Sequence, residues 1–103
     1  MKTKYGLHGK LKATKGKGPE LTTILLQAAR LVSTAEGCHI YLVSRDLEEP
    51  DAVWVTEVWD SKVDHDESLK REEVRALIGK AMPLLDGQPE RGLELEVIGG
   101  VGI

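Results

Sequence analysis

The chain has 103 residues, a net charge of −3, 41% hydrophobic and 30% charged residues, which is the composition of one ordinary globular domain spanning residues 1–103. The absence of a basic excess argues against nucleic acid as a partner, and no apolar run approaches the roughly 20 residues of a membrane span. The basic start "MKTKYGLHGKLK" lacks the apolar stretch of a secretory signal, so the expected location is the cytoplasm, and one cysteine, Cys38, excludes an internal disulfide framework.

Residues 4–13 alternate: Tyr5, Leu7, Leu11 and Ala13 share one face, and Lys4, Gly6, His8, Lys10 and Lys12 the other, which predicts a strand. "TKGKGPE" breaks it. Pro19 suits a first helical turn, where its missing N–H costs nothing, and Leu21, Ile24, Leu25, Ala28, Leu31, Val32 and Ala35 follow at helical spacing up to a stop at Gly37. "CHIYLVSR" (38–45) predicts a second strand and "AVWVTEVW" (52–59) a third; the short "DLEEPD" link between them predicts an antiparallel hairpin. Ser61, with Asp64 three residues on, reads as the cap of a short helix, and Ser68 as the cap of the next. Val74, Leu77, Ile78, Ala81, Met82 and Leu85 mark a second amphipathic helix that Pro83 should kink or end. "LELEVI" predicts an edge strand, with Leu93, Leu95 and Val97 inward and Glu94 and Glu96 outward.

The order β-α-β-β-α-β points to an α+β, ferredoxin-like antiparallel sheet with both helices on one face. The second and third strands are apolar on both sides, so the face without helices needs cover as well; a homodimer packed sheet against sheet would supply it.

The aromatic residues are Tyr5, Tyr41, Trp54 and Trp59, with no Phe, so an aromatic-walled pocket has to be built from these. Glu57 lies mid-strand on the Val53/Val55/Trp59 face, where a carboxylate must be paired or wet: a pocket acid and a cross-strand or interface ion pair both satisfy that. His65 follows Trp59 among Asp64, Asp66 and Glu67, either a solvated helix histidine or an acid/base aimed under the helices. His8, near Gly6 and Gly9, could border a hollow. The acidic run "DSKVDHDE" has neither a HExxH nor a calcium-loop spacing and reads as a solvated helix start, so no metal site is expected.

"GCHIYLVSRD" followed by "VWVTEVWDS", a helix pair and a closing "GGVG" resembles the antibiotic biosynthesis monooxygenase domain family along essentially the whole chain. The resemblance implies a dimeric α+β barrel and, by analogy, oxygenation of a small quinol or phenolic polycycle by dioxygen with no cofactor. It leads to His65, His8 and Glu57 as the candidate acid/base groups and Trp59, Trp54 and Tyr41 as candidate substrate walls. Family members that degrade haem use an Asn on the first strand; this chain has no Asn, so that site does not carry over. A non-catalytic dimer that binds a small molecule on the same scaffold is the competing expectation.

Overall fold

A computed structural model describes residues 2–103. The elements run β1 (Lys4–Lys12), α1 (Gly18–Val32), β2 (Cys38–Arg45), β3 (Ala52–Trp59), α2 (Lys62–Ser68), α3 (Glu72–Ala81), a 3₁₀ turn (Met82–Leu84) and β4 (Leu93–Val97). The sheet order is β2-β3-β1-β4, antiparallel throughout, which is the ferredoxin-like arrangement expected from the sequence. Among the described residues, no helix is long and apolar enough to cross a membrane.

Register decides which side chains meet the helices. Tyr5 pairs with Trp59, Leu7 with Glu57, Gly9 with Val55 and Leu11 with Val53, while Tyr41 of β2 also pairs with Glu57. Paired residues share a face, so these form the floor under the helices. Leu21 and Leu25 of α1, Ala81 of α3 and Leu84 of the turn close over Val53 and Val55 to form the main core. Val32 and Val74 close over Trp59 in a second cluster that takes in Cys38 as a half-buried packing residue; burial pushes its thiol pKa up.

The helix ends follow local chemistry. Pro19 occupies the first turn of α1, and Asp51 from the β2–β3 connection supplies the cap in trans: its carboxylate accepts from the Gly18 N–H at 2.9 Å and the Gly16 N–H at 3.0 Å. Ser61 caps α2, its Oγ accepting from the Asp64 N–H at 3.2 Å. Ser68 does not cap α3; its hydroxyl donates to the His65 carbonyl at 2.6 Å and is buried, and Arg71 takes the cap position without a side-chain bond. The Arg71 guanidinium instead donates to the Leu31 carbonyl at 2.9 Å, tying the start of α3 to the end of α1. α3 stops at Ala81, two residues before Pro83, and tightens into the 3₁₀ turn.

β4 is an edge strand, but its faces are reversed from the expectation. Glu94 and Glu96 pair with Leu7 and Tyr5 and so lie on the helix side, past the edge that α1 and α3 cover; Leu93 and Leu95 lie on the open face, 61% and 51% exposed. There they join Ile40 and Leu42 of β2 and Trp54 and Val58 of β3.

Candidate active site

Among the described residues, Glu57 is the one carboxylate set into the covered floor of the sheet, and it is only 8% exposed. Strand alternation puts it between Val55 and Trp59 under the helices, and the indole N–H of Trp59 donates to its Oε1 at 3.0 Å. α2 crosses just beyond the end of β3 and turns His65 and Ser68, three residues apart, toward the sheet. His65, 9% exposed, brings Nε2 to 3.7 Å from Glu57 Oε1, while its Nδ1 lies 3.0 Å from Asp66 Oδ1. The imidazole is held between aromatic rings, with Trp59 edge-on and Tyr5 tilted, each with its centroid 5.7 Å away.

These groups border a cavity of ≈ 90 Å³ between the helices and the β2–β3 half of the sheet. Tyr41, Glu57, His65 and Ser68 supply its polar edges; Leu69 and Ile78 are among the apolar residues that line the rest. Burial pushes the Glu57 carboxyl above the usual carboxylate range, opposed by the Trp59 N–H and the neighbouring His65. Burial and the charge of Glu57 together hold the Tyr41 phenol well above its ordinary value. The Tyr5 phenol is pushed up to about 12 by burial and by Glu94, to which its hydroxyl donates at 2.9 Å. Both phenols therefore keep their protons at neutral pH.

The six residues singled out from the sequence fall into two groups. Glu57, Trp59, His65 and Tyr41 come together on the helix side. Trp59 is completely enclosed there, so its indole fixes Glu57 and His65 instead of forming an open wall of the cavity. His8 and Trp54 lie on the opposite face, separated from Glu57 by the sheet itself. Their rings stack at 4.9 Å, His8 Nδ1 lies 2.9 Å from Thr56 Oγ1, and the Trp54 N–H donates to Asp46 at 2.9 Å. That bond, with two backbone N–H groups, holds the Asp46 carboxyl at about 2. Ser68 and Asp66 were read from the sequence only as helix-start groups, and Tyr5, though one of the four aromatics a pocket must draw on, was given no place at the site. For Tyr5 the signal was present, since it shares strand parity with Leu7. For Ser68 it was the helical spacing from His65.

Among the described residues no three His, Cys, Asp or Glu side chains converge as a metal ion would require. The acidic run disperses: Asp60 pairs with His39 at 2.6 Å and Lys4 at 3.3 Å, and Asp66 turns to His65.

Residues 5–80 match the model of the antibiotic biosynthesis monooxygenase family, a span that holds every group of the site. The chain belongs to that family. A Chloroflexus aurantiacus J-10-fl protein named for the same antibiotic biosynthesis monooxygenases is 40% identical over 97% of this chain and 98% of its own, with a TM-score of 0.87. A Deinococcus radiodurans protein with the same family name is 26% identical over 96% and 95%, at a TM-score of 0.74. One from Caulobacter crescentus, 21% identical over 95% and 92% with a TM-score of 0.85, shares the fold. No protein of curated function matches the sequence.

Proposed function

We propose that residues 1–103 form one domain of a cytoplasmic, homodimeric, cofactor-independent monooxygenase that oxygenates a small quinol or phenolic ring with dioxygen. The observation that carries this reading is a largely apolar cavity whose polar edge holds a buried histidine and a buried carboxyl 3.7 Å apart. Such a reaction needs no more from a protein than that. A quinol is electron-rich, and its deprotonated form can pass an electron to dioxygen. Recombination of the resulting radical pair places a peroxide on a ring carbon, and loss of water leaves a hydroxyquinone. The balance is one quinol and one O₂ to one hydroxyquinone and one water.

The protein has to take the first phenolic proton, hold the anion and exclude water. His65 Nε2 is the base in this reading: Asp66 engages Nδ1, which leaves Nε2 facing the cavity side. Glu57, whose carboxyl burial pushes above its usual range, hydrogen-bonds with the ring oxygen. Trp59 positions both. Tyr41 and Ile78 border the ring. His8 and Trp54 lie with the exposed leucines on the open sheet face, and they serve the subunit contact there. A contiguous apolar patch of that kind is what a second copy of the sheet would cover.

Oxygen uptake with single-ring hydroquinones, in parallel with ligand binding, tests the proposal. His65→Ala should cut uptake by about 100-fold or more with the dimer intact by gel filtration. Tight binding with no oxygen uptake in the unaltered protein would sink the enzymatic reading and leave a small-molecule binding dimer.

A further inference from the structure

The cavity at Glu57 is one of two compartments. A second, of ≈ 260 Å³, opens on the β1 side of the same cleft. Leu25, Tyr41, Glu57 and Ile78 border both, so Glu57 stands at the junction. The outer compartment has Leu7, Gly9 and Leu11 of β1 for its floor and Gly92, just before β4, at its side.

Its hollow comes from Gly9. By alternation this position faces the helices, between Leu7 and Leu11 and opposite Val55, where an apolar side chain would complete the floor. Neither backbone nor packing demands glycine there. Its φ is not among the positive ones. A Cβ would meet nothing within 4 Å but the Gly92 Cα, at an ordinary 3.5 Å. Gly6, on the same strand, is different: a Cβ there would run into Val97 at 2.8 Å, so packing alone explains it. Gly9 is thus an omitted side chain over an apolar floor beside the buried carboxyl.

Resting on the proposed quinol reading, we infer that the outer compartment binds an apolar extension of the substrate, and that Gly9 sets the length of chain it accepts. The inner compartment, ≈ 90 Å³, falls far below the roughly 300 Å³ at which pockets for drug-sized ligands begin. It holds one ring and no fused polycycle. A ring seated beside Glu57 presents its far edge to the outer compartment, where Leu7, Leu11, Leu25 and Val55 form the apolar lining and Lys10 and Glu90 add charged groups. The ligand class is therefore a single-ring quinol or phenol carrying an unbranched alkyl-like chain.

Anaerobic calorimetry with hydroquinone and 2-hexylhydroquinone reads this directly. Each methylene taken out of water gains roughly fourfold in affinity, so the hexyl compound should bind at least tenfold tighter than the bare ring. Gly9→Leu should abolish that advantage and leave hydroquinone binding unchanged. A chain-length series on the unaltered protein supplies an independent reading should Gly9→Leu not fold: affinity should climb with chain length and then level off. Bare-ring binding without any chain advantage, or an advantage that survives in Gly9→Leu, overturns the outer compartment and spares the quinol reading. Failure of both compounds to bind overturns both readings.

Discussion

Replacing Trp59 by Phe perturbs the site through its support. The indole is fully enclosed and its N–H donates to Glu57 at 3.0 Å. Phe keeps the aromatic packing but removes the donor and leaves a void. A void of roughly 40 Å³ at about 24 cal/mol per Å³ costs about 1 kcal/mol. A hydrogen bond to a charged group contributes about 1.5–3 kcal/mol. The expected loss is about 2.5–4 kcal/mol, a large part of the roughly 5–15 kcal/mol available to a domain. Urea unfolding at neutral pH measures it. The same substitution in a Glu57→Leu background isolates the bond, because the cavity cost is common to both arms. The coupling should be about 1.5–3 kcal/mol. A coupling below about 0.5 kcal/mol would refute the claim that Trp59 holds Glu57.

Glu57→Gln keeps the acceptor for Trp59 and removes the charge. Because burial raises the folded pKa above the ordinary value near 4.3, the folded protein binds the extra proton, and native stability should fall as pH rises from about 4 through the folded value. Melting curves of the two proteins should converge at low pH and separate above it, with the Gln form the more stable; parallel curves would contradict the assigned burial. At His65, nitrogen-15 spectra should show the neutral ring protonated on Nδ1, and Asp66→Asn should shift the balance toward Nε2; an Nε2-protonated ring in the unaltered protein removes it as the base. Gly37 has φ +83° and packs against the Asp64 side chain, so Gly37→Ala should cost at least about 1–2 kcal/mol and lower Tm by several degrees; an unchanged Tm would count against that contact.

The fold was legible because alternation and helical spacing are strong in this chain. Tyr5, Leu7 and Leu11 mark one face of β1, and Leu21, Leu25 and Ala28 mark one stripe of α1, and these faces meet in the structure. Parity also carried more than was taken from it. His8 and Trp54 are out of phase with Glu57 and Trp59, which places them across the sheet. β4 was harder for a physical reason. Alternating Leu and Glu defines two faces, but which one is covered depends on how far the helices reach, and α1 and α3 do not extend over the edge. There the leucines face outward with the open sheet, and Glu94 is satisfied by Tyr5 and Lys62. The burial of His65 was hidden by its acidic neighbours. On one short helix, Asp66 and Glu67 point to water while His65 and Ser68 point in, and composition averages over the two sides. Glu57 had an open choice between an ion pair and a pocket. Among the described residues it pairs with no Arg or Lys; its partners are Trp59 and His65.

On the proposed reading, the cavity at Glu57 and His65 inserts an oxygen atom from dioxygen into a quinol ring. Turnover of hydroquinone or 2-hexylhydroquinone under ¹⁸O₂, followed by mass spectrometry of the product, tests it. One labelled oxygen in a hydroxyquinone, lost with His65→Ala, is the predicted result. A quinone without label, or no oxygen-dependent product at all, would contradict it.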